Sequence, residues 1–527
     1  MGGGLLTAIV FVPLLGGLFV LMQREDRAAW NSAFIFSLIP LGLSFLLFAK
    51  FDPHSADFQF VEQYRWIPNF GISYHLGVDG ISLTLVLLTT ILISLSLLYS
   101  GGGDIEERPR EFCFFMLVLE TGLLGALLSI DLFLFYVFWE VMLIPMYFLI
   151  GIWGHGRKVY AAIKFVLFTM VGSLLMLAAI IYLVLSARHA FGRLSFDLPL
   201  LYQVPLSETE SRWLFAAFAL AFAIKVPMWP VHTWLPDAHT EAPTAGSVIL
   251  AGVMLKMGTY GFLRFAIPLF PAVAVEAVPL FFSLAVIGII YGALVAMVQP
   301  DLKRLVAYSS VGHLGFVMLG IFALDPQGVE GAIYQMLNHG ISTGGLFLLV
   351  GMLYLRRHTR EISEFGGLWK SVPVYAGIFM AVMLSSVGLP GLNGFVGEFL
   401  ILVGTFLRNW AAAAFAVSGI VLGALYLLWT YERVMFGPIT KAVNETIRDL
   451  SGREIAVMVP ILALMLFMGL YPKPLIDRME PSVEKMLAPV HLAQARLDHE
   501  RAESALARSI SRAAAPKSSS ALAVAAK

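Results

Sequence analysis

The chain consists mainly of apolar runs that are each long enough to cross a lipid bilayer. A helix needs about 20 apolar residues to span a hydrocarbon core of ~30 Å. Of all residues, 59% are hydrophobic and 13% charged, against about 25% charged in soluble proteins. The sequence therefore predicts an all-α polytopic membrane protein with about fourteen transmembrane helices. The runs lie near 5–22, 30–49, 79–99, 111–129, 131–153, 161–186, 213–229, 244–268, 277–297, 303–321, 329–354, 372–404, 411–436 and 455–471.

Composition excludes several classes of protein. Net charge is zero and the basic residues form short clusters, so no basic face is available for nucleic acid. The single cysteine, Cys113, excludes an internal disulfide and a Cys-ligated iron–sulfur cluster.

The glycines at 101–103 are not followed by a phosphate-binding lysine, which excludes a Walker loop. The first run lacks a basic leader and a cleavage site, and we interpret it as a retained span.

Lysine and arginine are concentrated in alternate connections between the apolar runs. The opposite set of connections holds roughly a third as many, and the richer side is expected to be cytoplasmic. An even number of spans then places both termini on the periplasmic side. The Arg-rich segment after Lys473 opposes this count, and the Ala/Ser/Lys-rich end from about Ser511 is expected to be disordered. The connections counted as rich carry Arg24, Arg27, Arg108, Arg110, Arg157, Lys158, Lys164, Lys303, Arg304, Arg356, Arg357, Arg360, Lys370, Arg433, Lys441, Arg448 and Arg453.

Two copies of a five-helix unit are predicted within the chain. Spans four to eight and nine to thirteen each contain a Pro-interrupted stretch at the fourth place, at 225–230 and 388–394. Because five is odd, consecutive units must be inverted in the membrane, as in ion-coupled transporters. The predicted divisions are helices 1–3 (1–110), the first repeat (111–270), the second repeat (271–437), a loop with helix 14 (438–475) and a C-terminal extension (476–527).

Four ionisable residues lie inside predicted spans, where a charge costs about 2.5–3.5 kcal/mol on insertion scales. They are Glu140, Lys225, Lys256 and Glu398. Each could be purely structural, and Lys225 could extend its ammonium group to the membrane boundary. Proton transfer is the interpretation we favour, because burial moves the pKa values of lysine and carboxyl groups towards the working pH. A swing of about three pKa units, as when a Glu140–Lys225 ion pair opens or closes, would overcome roughly 150–200 mV.

Histidines could connect these sites, because imidazole both accepts and donates protons near neutrality. His313 and His339 lie inside spans ten and eleven; the alternatives are packing histidines or a pair of haem ligands. His232 and His239 lie between spans seven and eight and could form a proton gate or only a capped turn. Their spacing matches no zinc motif.

Three further positions are polar. Glu120 lies in mid-span and is a weaker candidate for proton transfer, whereas Asp131 could be an N-cap of span five. Glu432 with Arg433 could be a cytoplasmic exit or an interfacial ion pair.

Three stretches carry a specific resemblance. They read FWEVMLIPMYFLI at 138–150, KVPMWPVHTWLPDAHTEAPTAGSV at 225–248 and GLPGLNGFVGE at 388–398. They resemble the signatures of the proton-translocating, antiporter-like subunits of respiratory complex I and of multisubunit sodium/proton antiporters, over about residues 1–475. The resemblance implies that Glu140 and Lys225 form the salt-bridge pair, Lys256 is the central lysine and Glu398 the terminal site. His232, His313 and His339 would form the relay.

The resemblance also favours one type of subunit. Other members usually carry lysine where this chain has Glu398, and the L type continues into a long lateral helix, so the M type of a bacterial NADH:quinone oxidoreductase is favoured. It implies two further antiporter-like partners and the inner membrane, with NADH, FMN, iron–sulfur clusters and quinone in partner subunits. The alternatives are a sodium/proton antiporter or membrane-bound hydrogenase subunit, a transporter of an organic substrate, and a scaffold without an ion path.

Overall fold

The computed structural model describes residues 3–514, which are mostly helical. The helices are α1 (Leu5–Leu21), α2 (Asp26–Lys50), α3 (Gly80–Ser100), α4 (Pro109–Leu128), α5 (Leu132–Val141), α6 (Leu143–Trp153), α7 (Lys158–Phe191), α8 (Leu198–Leu201), α9 (Glu208–Lys225), α10 (Trp234–Glu241), α11 (Thr244–Ile249), α12 (Leu255–Gly261), α13 (Ile267–Leu269), α14 (Pro271–Met297), α15 (Leu302–Ala323), α16 (Pro326–Arg357), α17 (Pro373–Val387), α18 (Asn393–Arg408), α19 (Trp410–Met435), α20 (Gly452–Leu470) and α21 (Lys473–Ala514). Two π-helical turns, Leu250–Met254 and Phe262–Ala266, join α11 to α12 and α12 to α13.

Eleven helical segments within residues 3–514 are long and apolar enough to cross a membrane. They are α2, α3, α4, α5 with α6, α7, α11 to α13, α14, α15, α16, α19 and α20. The three other predicted spans correspond to α1, which has 17 residues, to α9, and to the interrupted pair α17 and α18. The first turns of α9 contain Glu208, Glu210 and Arg212, which lower its hydropathy.

The predicted all-helical class is confirmed, and within residues 3–514 the segment between α2 and α3 adds a β-hairpin to it. Strands β1 (Gln59–Ile67) and β2 (Ile72–Val78) pair antiparallel. Glu62 of β1 accepts hydrogen bonds from the backbone N–H groups of Leu6 (2.8 Å) and Thr7 (3.2 Å), so it satisfies free donors at the start of α1. The segment 51–79 is too polar for a span and contains no long apolar run, so the apolar pattern gives no signal for the hairpin.

The chain is interrupted at both Pro-containing stretches. Helix α9 ends at Lys225, before Pro227 and Pro230, and α10 begins at Trp234. Helix α17 ends at Val387, and Gly388 follows in the left-handed region with φ +84°. Proline removes a backbone donor and glycine accepts a positive φ, so both interruptions follow from local sequence.

The C-terminal extension forms a long helix, which the sequence analysis did not predict. Helix α21 runs over Lys473–Ala514 and packs against α3, α14 and α16. Most of the segment expected to be disordered, 515–527, lies outside the described residues, whereas 511–514 belong to α21.

A buried ion pair joins the start of α3 to the end of the α11–α13 span. Asp79 caps α3, and its Oδ1 accepts a hydrogen bond from Arg264 Nη2 at 2.6 Å. The next residue, Gly80, donates its N–H to Ser482 of α21 at 3.0 Å. Two interactions therefore fix the N-terminus of α3: the ion pair with Arg264 and the hydrogen bond to Ser482 of the C-terminal helix.

Replacing Gly80 by alanine is expected to loosen this attachment. A Cβ at position 80 would overlap the backbone carbonyl of Arg478 in α21, which cannot rotate away. We expect about 1–3 kcal/mol of destabilisation, as for other overpacked sites. The measurement is the midpoint of thermal unfolding of the full chain in its membrane. Gly377→Ala is the control, since its Cβ meets nothing within 4 Å, and equal midpoints for both variants would contradict the prediction.

Candidate functional site

Glu398 lies just after the break between α17 and α18, and its carboxylate is buried. Its Oε1 accepts a hydrogen bond from Gln335 Nε2 at 3.0 Å and lies 3.1 Å from His313 Nδ1. A Cβ on Gly388 would stand 3.1 Å from Glu398 Oε2, so this glycine gives the second oxygen its space. The broken helix thus brings one carboxylate against side chains of α15 and α16.

Lys256 lies in α12, between the two π-helical turns, and is fully surrounded by protein. Its Nζ contacts His339 Nδ1 at 2.6 Å and also the carbonyl oxygen of Ala251. A π-helical turn disrupts the regular i to i−4 ladder and is frequent at functional sites. The turn containing Ala251 supplies a carbonyl that solvates the amine where water is scarce.

Two histidines connect Lys256 to Glu398. The ring centroids of His313 and His339 are 5.9 Å apart. Both rings face a small cavity that is also lined by Gln335, Asn338 and Ser385. Lys256, His339, His313 and Glu398 therefore form one continuous row across α12, α16, α15 and α18, which we call the central row.

The predicted ion pair between Glu140 and Lys225 is not formed in this structure. Lys225 Nζ and Glu140 Oε1 are both buried without a hydrogen-bond partner. The ammonium group lies 5.3 Å from the ring of Trp139 and 5.5 Å from that of Phe165. Lys225 therefore sits in an aromatic cage, in electrostatic range of Glu140 but not in contact with it.

The two histidines of the α9–α11 connection occupy different surroundings. His232 packs edge-on against Tyr291 at 5.1 Å, and its Nδ1 has no partner. His239 stacks on Phe347 at 4.8 Å, and neither ring nitrogen has a partner. His239 interacts electrostatically with Lys256, which relates it to the central row.

The weaker candidates fall outside this row. Glu120 is buried in α4, and both of its carboxylate oxygens lack a partner. Asp131 caps α5, accepting from the N–H groups of Phe133 and Leu134. Among residues 3–514, no group of three or more His, Cys, Asp or Glu side chains could hold a metal ion.

Several residues of these polar clusters were overlooked in the sequence. Gln335 and Asn338 are neutral and gave no signal, although Gln335 donates from Nε2 to Glu398 and accepts at Oε1 from Asn338 Nδ2. Arg264 could have been noticed, because it is a second basic residue in the same apolar run as Lys256. Lys303 was counted as a loop charge, but it lies in α15 and is buried, donating to the Ala242 carbonyl.

Interrupted apolar helices and a buried row of lysine, histidine and carboxylate side chains define an antiporter-like, polytopic membrane protein. Residues 129–423 match the family described as NADH:quinone oxidoreductase/Mrp antiporter, transmembrane. NADH-quinone oxidoreductase subunit M of Rhodobacter capsulatus is 46% identical over 500 residues, covering 92% of this chain and 97% of that relative. Subunit M of Mycobacterium tuberculosis is 42% identical over 527 residues, covering 92% and 94%. The chain belongs to the subunit M family of NADH-quinone oxidoreductase.

Solved structures agree with this assignment. A chain of respiratory complex I from Thermus thermophilus with bound NADH has a TM-score of 0.84 and 34% identity, covering 92% of this chain and 99% of that one. A chain of the Mrp complex from Dietzia has a TM-score of 0.80 at 23% identity, covering 93% and 98%. The second likeness shows the shared fold alone.

Replacing Gly388 by alanine is expected to disturb Glu398. The new Cβ would press on Oε2, and a left-handed alanine costs about 1–2 kcal/mol in addition. We expect coupled quinone reduction to fall several-fold, measured as NADH:quinone turnover in membranes. Gly437→Ala is the matched control, because Gly437 has the same φ of +84° with nothing within 4 Å of its Cβ. Equal losses in the two variants would leave only backbone strain as the cause.

Proposed function

We propose that this chain is a proton-translocating subunit of a bacterial respiratory complex I, and that protons move along the central row. The observation that carries the proposal is a row of close neighbours: Lys256 contacts His339, the ring of His339 packs against that of His313, and His313 contacts Glu398. Lys256, His339 and Glu398 are buried, and the side chain of His313 is 13% exposed. Protons therefore pass between these neighbours or through water in the cavity beside the two histidines.

The chemistry of each step follows from the donors and acceptors. Lys256 gives a proton from Nζ to Nδ1 of neutral His339, and His339 then releases the proton on its free Nε2. His313 takes this proton and passes it from Nδ1 to the carboxylate of Glu398. Histidine is suited to this, since its two nitrogens accept and donate near neutral pH.

Glu140 and Lys225 act as the electrostatic control of this row in our proposal. In the open arrangement, two aromatic rings hold the ammonium group of Lys225. Closing the pair would neutralise both charges and change the field at Lys256. Moving one charge against 100 mV requires about 2.3 kcal/mol, and a shift of one pKa unit is about 1.4 kcal/mol. His232 and His239 would gate proton uptake, whereas Glu120 stays outside the route.

We also propose that the chain crosses the membrane fourteen times and contains two inverted five-helix repeats. Corresponding backbone contacts in the two repeats support this proposal. An isolated antiparallel bridge joins residues 131 and 197 in the first repeat, and another joins residues 301 and 361 in the second. The flanking backbone hydrogen bonds also correspond: 132 to 196 and 198 to 130 in one unit, 302 to 360 and 362 to 300 in the other. Asp131 and Asp301 cap α5 and α15 in the same way. Five spans separate the two bridges, which therefore lie at opposite membrane faces.

The rest of the machinery belongs to partner subunits in this proposal. NADH, FMN, iron–sulfur clusters and quinone bind there, and two further antiporter-like subunits lie in the same membrane arm. We propose that the complex occupies the bacterial cytoplasmic membrane and that both termini of this chain are periplasmic. The concentration of Lys and Arg in the connections of the opposite side supports this orientation.

Lys256→Ala tests the central role of the row. We expect NADH-driven proton pumping in liposomes to fall by about 100-fold, since a positioned proton-transfer group contributes about 100-fold or more. Quinone reduction coupled to pumping should fall with it. The control is Lys50→Ala, at an exposed lysine at the end of α2. Normal pumping at normal turnover in an assembled Lys256→Ala complex would reduce this lysine to a structural role.

Glu398 is tested by a pair of substitutions. Glu398→Gln keeps the size of the side chain and can still accept from Gln335, but it cannot carry a proton. Glu398→Asp keeps the acid on a shorter stem. We expect the glutamine variant to lose pumping and the aspartate variant to retain part of it, in the same liposome assay. Equal activity of both would show that Glu398 serves only in packing.

A further inference from the structure

Buried polar atoms without protein partners are concentrated where α3 ends and the loop to α4 begins. They are Ser96 Oγ, Tyr99 Oη, Ser100 Oγ and Asp104 Oδ2. Buried polar groups are nearly always hydrogen-bonded, and leaving one unsatisfied costs about 1–3 kcal/mol. Atoms of this kind, gathered over little more than one turn of helix and the adjoining loop, point to a space that takes water.

Asp104 connects this space to the surface. The residue is partly exposed in the loop between α3 and α4, whereas its Oδ2 is buried. Thr244, the first residue of α11, donates from Oγ1 to Asp104 Oδ1 at 3.4 Å. Burial raises the pKa of the Asp104 carboxyl to about 6, against the opposing effect of Lys303. The carboxyl group can therefore take up a proton from solution near neutral pH.

A series of charged groups continues from Asp104 into the bundle. Lys303 is buried and interacts electrostatically with both Asp104 and His239. His239 has two unpartnered ring nitrogens and interacts electrostatically with Lys256. Each of these groups therefore interacts electrostatically with the next, from Asp104 in the loop to Lys256 in the central row.

Gly351 of α16 lies close to the hydroxyl groups of Thr244 and Tyr99. A Cβ on this residue would lie 2.6 Å from Thr244 Oγ1 and 2.7 Å from Tyr99 Oη. Any side chain there would close the gap between α3, α11 and α16 beside the two hydroxyl groups. The requirement for glycine is steric, because Gly351 lies within a regular helix.

We propose that a hydrated passage lined by Asp104, Tyr99 and Thr244 delivers protons from the loop side of the bundle to His239 and Lys256, with Asp104 as the outermost donor. This inference rests on the proposed function. The acid O–H bond of Asp104 breaks and its proton enters the water chain. The chain passes one proton through His239 to the free amine of Lys256, and solution reprotonates Asp104.

The test uses inverted membrane vesicles that contain the assembled complex, so that the expected cytoplasmic face meets the buffer. In Asp104→Asn we expect coupled turnover to fall about tenfold at pH 8. This loss is smaller than the full effect of a general acid, because proton uptake is one of several slow steps. At pH 6 the loss should be smaller, because bulk protons are then abundant. Gly351→Ala should reduce turnover equally at both pH values, since its block is steric.

The charged and titratable groups near the passage are known, so the pH profile can be assigned. Asp104 interacts with Tyr99 of α3 and with Lys303 of α15, and the Arg356–Glu454 ion pair lies beyond Tyr99. Lys303 in turn interacts electrostatically with Arg360, Asp301 and Glu241. Asp104→Glu should restore the wild-type profile because it restores the acid. An assembled glutamate variant that behaves like the asparagine variant would overturn the role of Asp104 as a donor.

Two controls separate this proposal from the proposed function. Glu106→Gln removes an exposed carboxylate from the same loop, and Gly377→Ala adds a methyl group in open space, so neither should change turnover. If Lys256→Ala stops pumping while Asp104→Asn and Gly351→Ala behave like wild type, the passage is wrong and the central row stands. If Lys256→Ala also pumps normally, the proposed function itself fails.

Discussion

An ionised side chain inside a bilayer must be solvated by the protein, and the design of this bundle follows from that constraint. A carbonyl group in a π-helical turn and polar side chains of neighbouring helices replace water around the buried groups. Lys256 uses the carbonyl of Ala251, and Glu398 uses donors from α15 and α16. Where solvation comes from an opposite charge, as between Asp79 and Arg264, the pair instead joins two helices firmly.

The buried groups differ in how fully they are satisfied, and this difference suits them to different tasks. The Asp79–Arg264 pair has a direct hydrogen bond, so breaking it would leave an unpaired buried charge at a cost of about 3–5 kcal/mol. Lys225 and Glu140 lack such bonds and can change partners at lower cost. A proton route needs groups that can change partners, such as Lys225 and Glu140, whereas the framework needs fully paired groups, such as Asp79 and Arg264.

Long-range contacts hold the helices that carry these groups. Helix α21 reaches back to α3 through Gly80 and Ser482, and the β-hairpin reaches α1 through Glu62. Both attachments satisfy free N–H groups at the N-termini of helices, where the backbone would otherwise lack partners. The broken helices at the centre therefore sit within a bundle whose ends are anchored by chain segments distant in sequence.

The sequence by itself determined the membrane class, the two interruptions and the positions of four ionisable residues within apolar runs, because apolar length, proline and an ionisable residue within an apolar run are local signals. It did not determine the hairpin, the length of α21 or the neutral donors Gln335 and Asn338. It counted Lys303 as a loop charge, and it predicted contact between Glu140 and Lys225 where the structure has an aromatic cage. These features depend on which helices meet and at what distance, and only tertiary packing sets those distances.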